Sequence, residues 1–222
     1  EVGIAAVRLI EAAGYRGRLA GLECCGRPAI SKGLLGYARD LSRRNVERLA
    51  PLVRRGMPIL GLEPSCLASL VDDARDFRLG PDAEAVASGS SLLDAWLADT
   101  SKVPELPLGE SGDRVLLHGH CHQKAIFGTS GTLDALRRIP GLSVSELDSG
   151  CCGMAGSFGY ERGHYDVSVS LARRVLIPAA EADPEARIVA PGFSCRSQLH
   201  DLSGIEASHP VQLLAEHLEH PS

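Results

Sequence analysis

Two adjacent-cysteine pairs, Cys24-Cys25-Gly26 and Cys151-Cys152-Gly153, are each followed by a lone Ser-Cys, at Cys66 and Cys195. Cys66 lies 41 residues beyond Cys25 and Cys195 lies 43 beyond Cys152. Neighbouring cysteines rarely bond to each other, because so small a ring strains both the peptide and the disulfide torsion. Thiolates gathered from separate loops are more natural ligands for zinc or an iron–sulfur cluster, since soft sulfur selects soft metals. The pattern therefore reads as a duplicated thiolate site. Cys121, Cys151, Cys152 and Cys195 form the fuller set, able to hold a tetrahedral zinc or a cubane cluster; Cys24, Cys25 and Cys66 offer three thiolates only.

Residues around these thiols add chemistry of their own. His118-Gly119-His120-Cys121-His122 sets three imidazoles beside a candidate ligand. Alternation at a strand end sends His118, His120 and His122 to one side, opposite Cys121, so they cannot all meet one metal. One of them could complete a mixed Cys/His zinc site or take up a proton during electron transfer. Gly150, Gly153, Gly156 and Gly159 bare the backbone ahead of a helix, where N–H groups can donate to cluster sulfurs. Their spacing is not that of a dinucleotide fingerprint. His209, in Ser208-His209-Pro210, is a weaker candidate.

The elements that must carry these loops alternate between helical and strand periods. Residues 1–13 have a helical pattern closed by Gly14, residues 18–22 read as a short strand leading to Cys24, and residues 36–54 form a second helix. Pro58–Leu62 is a strand ending at Pro64-Ser65-Cys66, with a helix over 67–76. The second half repeats the order: a strand at 115–117, a helix at 132–139, a strand at 142–147 before Cys151, a helix at 161–176, and a strand at 187–191 before Cys195. Gly14/Gly141 and Cys25/Cys152 share an offset of 127 residues, and Cys66/Cys195 an offset of 129. The expected fold is α/β: two pseudo-symmetric Rossmann-like lobes with mostly parallel sheets, residues 1–108 and 109–222, joined through the Pro/Ser/Gly-rich stretch 98–112. In such sheets ligands sit beyond the carboxyl ends of the strands, which is where the cysteines fall.

Composition narrows the function. The chain has 222 residues, 44% hydrophobic, with a net charge of −5, which gives no basic face for nucleic acid to release counterions against. Four Phe, four Tyr and one Trp make no stacking platform. Seven widely spaced cysteines in a chain of this size point to a reducing, cytoplasmic compartment and metal or redox use rather than disulfide staples. No apolar run reaches the roughly 20 residues of a membrane span, which leaves peripheral attachment open. The chain starts at Glu1-Val2-Gly3, without Met and already in a helical pattern, so upstream polypeptide is expected. The repeat offset places a first-half counterpart of Cys121 at about position −6, so the first copy is expected to lack its first strand.

With these motifs in view, the chain resembles the cysteine-rich, or CCG, domain family, found in heterodisulfide reductase, the iron–sulfur subunits of glycolate and lactate oxidase systems, and anaerobic glycerol-3-phosphate dehydrogenase. The resemblance runs over nearly the whole chain, in two copies. It rests on Cys24-Cys25-Gly26-Arg27-Pro28, Glu63-Pro64-Ser65-Cys66, His118 to Lys124, Cys151 to Gly159 and Pro191-Gly192-Phe193-Ser194-Cys195. These look most like the carboxyl-terminal iron–sulfur module of FAD-linked oxidase fusions acting on 2-hydroxy acids such as D-lactate, glycolate or 2-hydroxyglutarate. The resemblance implies a 4Fe-4S cluster, with zinc as the alternative metal, fed by FAD in a partner or upstream domain and discharged to a quinone or electron carrier. A structural zinc module docking a flavoprotein and a thiol–disulfide redox protein are the other classes the residues allow. Cys66 and Cys195 are not followed by the family's second cysteine of a Cys-x-x-Cys, so a four-cysteine cluster on the second copy is what this sequence supports.

Overall fold

The computed structural model describes residues 1–219. The first half contains α1 (Val2–Ala12), α2 (Arg27–Ser31), α3 (Leu35–Val53), β1 (Ile59–Gly61), α4 (Pro64–Ala68), α5 (Ala74–Asp76), α6 (Pro81–Ser88), β2 (Ser90–Leu92) and α7 (Leu93–Ala98). The second contains β3 (Arg114–Leu117), α8 (Ser130–Leu136), β4 (Ser143–Glu146), α9 (Tyr165–Ala172), α10 (Leu176–Ala182), β5 (Arg187–Val189), α11 (Phe193–Ser203) and α12 (Pro210–Glu216). β1 and β2 form one parallel sheet; β3 lies between β4 and β5 in a second, also parallel. The fold is α/β, as the alternating periods predict.

Local chemistry sets the element ends. α1 buries Ala5, Ala6 and Leu9 at helical spacing, and Gly14 takes φ +83° beyond it. Gly14 N–H then donates to Glu11 O and Tyr15 N–H to Ile10 O, the paired bonds of a glycine-closed helix end. Between α4 and α5, Ser69–Asp73 widens into a π-helical turn, and Gln123–Phe127 is a second such turn just after Cys121.

Several expectations shift. Residues 18–22 form no strand, because a strand needs a ladder partner and none lies beside them among the described residues. The helix expected over 161–176 starts only at Tyr165, after Gly163 at φ +88°, and a new helix, α10, begins at Leu176. α6, β2 and α7 lie in a stretch whose small residues show no strong period.

One buried cluster belongs to the first half alone, around Val46, Leu49, Leu70 and Val86; another to the second alone, around Met154, Ile177, Ile188 and Leu199. The third draws on both: Leu9, Leu93 and Leu97 meet Val115, Leu117, Leu136 and Leu214. α7 comes so close to α8 that a Cβ on Gly131 would fall 2.6 Å from that of Ala95. Across the same contact Thr132 Oγ1 donates to buried Asp94 Oδ2 at 2.6 Å, and Gln123 Nε2 donates to Thr132 Oγ1 at 2.6 Å. Burial pushes the Asp94 carboxyl up.

Candidate metal centre

Three strand ends deliver the fuller thiol set. β3 stops at Leu117; His118 still donates its N–H to Val189 O at 2.8 Å, and after Gly119 the chain turns so that Cys121 opens the segment leading into the π-helical turn. β4 feeds the loop of Cys151 and Cys152, anchored by Lys124 Nζ, which donates to Ser149 O at 2.5 Å. β5 leads to Gly192, which caps α11, and Cys195 sits in that helix's first turn. The Cys152 and Cys195 sulfurs are 3.3 Å apart, and Gly153 N–H donates to Cys151 Sγ at 3.3 Å.

Crowded thiols cannot all ionise without a cation, and their proton affinities diverge accordingly. Hydrogen bonding from Cys121 and Cys152 holds Cys151 far below the usual thiol range. Cys121 is pushed up by Cys151 and by burial, and Cys152 by Cys151, Cys195 and burial. Cys195 is held down to about 5 by Cys152 first, against burial, with His118 also lowering it. Along the row, burial and the neighbouring sulfurs favour the thiol form at Cys121 and Cys152 and the thiolate form at Cys151 and Cys195. A multiply charged cation or cluster would let more of these thiols ionise. Among the described residues the donor atoms that lie within 4.8 Å of one another form two trios, His118/Cys152/Cys195 and His120/Cys121/His122, and none of these groups holds all four cysteines.

The imidazoles divide between the two ends of the row. His118 Nδ1 pairs with Ser149 Oγ at 2.7 Å, leaving Nε2 buried without a nitrogen or oxygen partner, and its donor atom lies within 4.8 Å of those of Cys152 and Cys195. His120, Cys121 and His122 also bring their donor atoms within 4.8 Å of one another. The expected placement of Cys121 opposite the histidines is thus overturned: the strand ends at Leu117, and alternation does not extend into the turn. Glycine is required where backbone closes on this row. A Cβ on Gly192 would stand 2.3 Å from His120 Cδ2 and 3.1 Å from Cys195 Sγ. Gly153, at φ +96°, would drive one to 2.8 Å from Ser168 O. Gly156, at φ +74°, accepts Ser194 Oγ–H at its carbonyl at 3.2 Å.

The sparser set is open. Cys24 and Cys66 are exposed and Cys25 half-buried. Cys25 is held down to about 6 chiefly by its hydrogen bond with Cys66, which is itself pushed up by Cys25 and burial. The three thiols of this set and three of the fuller one, Cys121, Cys151 and Cys152, line one cavity of about 720 Å³. Charged side chains tie its two sides. Arg27 pairs with Asp73 at 3.0 Å and places Nη2 2.7 Å from His122 Nε2, which accepts; burial and then this cation hold the His122 ring below its ordinary proton affinity. Glu63 Oε2 accepts Phe193 N–H at 2.8 Å, and Lys32 pairs with Glu161.

His209 is a helix cap away from the thiols. Its Nδ1 accepts Val211 N–H at 3.1 Å, its Nε2–H donates to Leu62 O at 2.9 Å, and Gln212 Oε1 accepts His209 N–H at 3.0 Å. Proline directly after His209 and glutamine three residues on were a readable cap signal. Arg27 and Glu63 had no such signal, because their partners are 46 and 130 residues away.

Residues 115–200 match the family model described as a cysteine-rich domain, CCG. Over 98% of its length the chain is 30% identical to a subunit of the anaerobic glycerol-3-phosphate dehydrogenase of Escherichia coli K12, covering 55% of that protein. It is 29% identical over 95% of its length to D-2-hydroxyglutarate dehydrogenase of the same strain, covering 20% of it. It is 28% identical over 82% of its length to lactate utilization protein A of Geobacillus kaustophilus HTA426, covering 78%. The chain thus spans about half of the first relative and a fifth of the second. No helix among the described residues is long and apolar enough to cross a membrane. The matched segment contains Cys121, Cys151, Cys152 and Cys195, and residues 115–200 of this chain are a cysteine-rich domain of the CCG family.

Proposed function

We propose that this chain is the iron–sulfur electron-transfer module of an FAD-linked 2-hydroxy acid oxidoreductase, receiving electrons from a flavin domain and passing them to a quinone or carrier. The observation that carries this reading is the row of four sulfurs, Cys121, Cys151, Cys152 and Cys195, converging from three strand ends inside the matched domain. A 4Fe-4S cluster held there would supply one-electron exchange. Gly153 N–H would fix the Cys151 sulfur, and the backbone at Gly156 would keep the loop close to Ser194. His118, with its free Nε2 beside Cys195, and His120 and His122, beside Cys121, would set the local charge. Cys152 and Cys195 lie in the core and keep water from that end of the row. The relatives named as dehydrogenases or dehydrogenase subunits support the redox setting.

In the same reading the halves, 1–108 and 109–222, are copies of one domain. Gly14 and Gly141 take φ +83° and +78°, Gly26 and Gly153 +86° and +96°, and β1 and β5 each lead into the first turn of a Ser-Cys helix. Cys24, Cys25 and Cys66 are the less complete site.

Anaerobic purification followed by iron and acid-labile sulfide analysis and visible absorption tests the assignment. Near-stoichiometric cluster with a broad brown absorption, bleached on reduction by a flavoprotein donor, is expected. A colourless protein holding one zinc per chain would replace this reading with a structural docking module.

A further inference from the structure

The imidazoles on either side of Cys121 are committed differently, and His122 is set from the other half of the chain. An arginine side chain carries only N–H donors and keeps its charge. Arg27 Nη2 stands 2.7 Å from His122 Nε2, so that nitrogen offers its lone pair. A neutral imidazole has one ring proton, which is thereby left on Nδ1. His122 Nδ1 is buried and has no hydrogen-bond partner among the described residues, and a nitrogen of this ring lies within 4.8 Å of Cys121 Sγ. In the neighbouring ring, His120 Nδ1 accepts the His122 backbone N–H at 3.2 Å, and Nε2 is 4.0 Å from Glu63 Oε1. Neither ring turns a free lone pair toward Cys121.

Arg27 is itself held in place. Its Nη1 donates to both carboxylate oxygens of Asp73, at 3.1 and 3.0 Å, and Ser69 Oγ donates to Asp73 Oδ2 at 2.9 Å. Ser69 and Asp73 open and close the π-helical turn of the first half, a kind of turn frequent at functional sites. The two copies of the motif part company at this residue. Arg27 follows Cys24-Cys25-Gly26 directly, and the residue in the same place after Cys151-Cys152-Gly153 is Met154, which is buried in the core. One side chain packs within its own half; the other crosses to a ring beside the opposite thiols.

We propose that Arg27 is a positioning residue for the thiol row of the second half. It holds His122 as the Nδ1–H tautomer, so that this ring serves the row as a buried N–H donor, and neither as a metal ligand nor as a proton acceptor. This rests on Cys121 belonging to the metal-binding row. A buried donor without a partner is costly, and ionised or metal-bound sulfur gathered beside it is what relieves that cost. The first copy of the motif thus contributes a contact to the second site, whatever its own three thiols hold.

The tautomer is read by nuclear magnetic resonance of the reduced, metal-free chain carrying isotope-labelled histidine, at a pH of about 8, well above the ordinary histidine value. Loss of its signals in His122→Gln identifies the ring. Nδ1–H should outweigh Nε2–H at least about tenfold, and Arg27→Met should move the ratio at least about tenfold toward Nε2–H, because hydrogen bonds from charged donors are strong. A predominant Nε2–H tautomer in the unaltered chain overturns the proposal, as does an unchanged ratio in Arg27→Met. In cluster-loaded protein Arg27→Met should also make the reduction potential more negative, since a cation and an oriented N–H favour the reduced cluster. An unchanged potential overturns the role toward the row. A chain that assembles no cluster fails the cluster reading alone; the ring measurement needs no metal and still decides this one.

Discussion

The two thiol groups share a motif and differ in what surrounds it. In the second half Cys152 and Cys195 are buried, part of a core with Met154, Ile177 and Leu199. In the first half Cys24 and Cys66 are exposed and Cys25 is only half-buried. Glycines repeat the contrast: a Cβ on Gly153 would strike Ser168 O at 2.8 Å, whereas one on Gly26 would come to 3.3 Å of Ala38 O. Motif alone therefore does not make equal sites. A sulfur becomes a fixed donor when the core immobilises it, and only the second set has that support.

Loss of colour should separate the halves most sharply. Cys152→Ser is expected to remove nearly all bound iron and visible absorption, because serine oxygen is a harder, poorer ligand and this position is enclosed. Cys25→Ser should change iron content by less than about twofold, as expected if the second row holds the cluster by itself. Iron analysis and flavin-to-acceptor electron transfer of both variants, in the flavin-containing context, measure this; a colourless Cys25→Ser beside a coloured Cys152→Ser would invert the comparison.

The glycines give the next effect. Gly153→Ala should destabilise metal-free protein by about 3 kcal/mol, left-handed strain adding to backbone collision, and Gly26→Ala by about 1–2 kcal/mol. Urea unfolding curves for the pair measure the gap, and equal costs would remove the distinction drawn between the loops.

Acid should loosen the contact that joins the halves at His209. Burial first holds its ring down to about 4 from the ordinary 6.5. Between these values the unfolded chain binds a proton that the folded ring refuses, since protonated Nδ1 cannot accept from Val211 N–H. This contribution is whole above about pH 6.5 and falls away toward pH 4, by up to roughly 3 kcal/mol if fully expressed. His209→Asn, which keeps a capping side chain, should flatten that part of the stability–pH curve; an unchanged slope would assign acid sensitivity to other groups.

Arg27→Gln, at the partly buried bridge to Asp73 and His122, should cost only about 1 kcal/mol in a thermal melt. A loss several times larger would mean that this bridge, more than the shared apolar core, holds the cavity walls together.

Much of this arrangement was legible in the residues. β1, β3 and β5 were readable from short apolar runs and β4 from the alternation over residues 142–147, and the cysteine loops followed from where those segments stop. What escaped depended on partners distant in sequence. Residues 18–22 have a strand's composition but no ladder neighbour among the described residues. The three histidines were assigned to one side by a period that lapses after Leu117, so the division of His118 from His120 and His122 had no local signal. The π-helical turn after Cys121 is likewise invisible to a 3.6-residue period. Asp94, buried and bonded to Thr132, has its partner 38 residues away on α8 and so had no local signal.

The shared core also has a meaning in time. α1 buries its apolar face in the same cluster as α12, nearly 200 residues later, and α7 can cover α8 only once both exist. At a synthesis rate of about 5–20 residues per second, Cys24 and Cys25 leave the ribosome roughly ten to forty seconds before α12. Throughout that interval the core shared by the two halves stays open, although the cluster around Val46, Leu49, Leu70 and Val86 needs only the first half. The walls around Cys152 and Cys195, by contrast, come from the second half alone and need neither α1 nor α12.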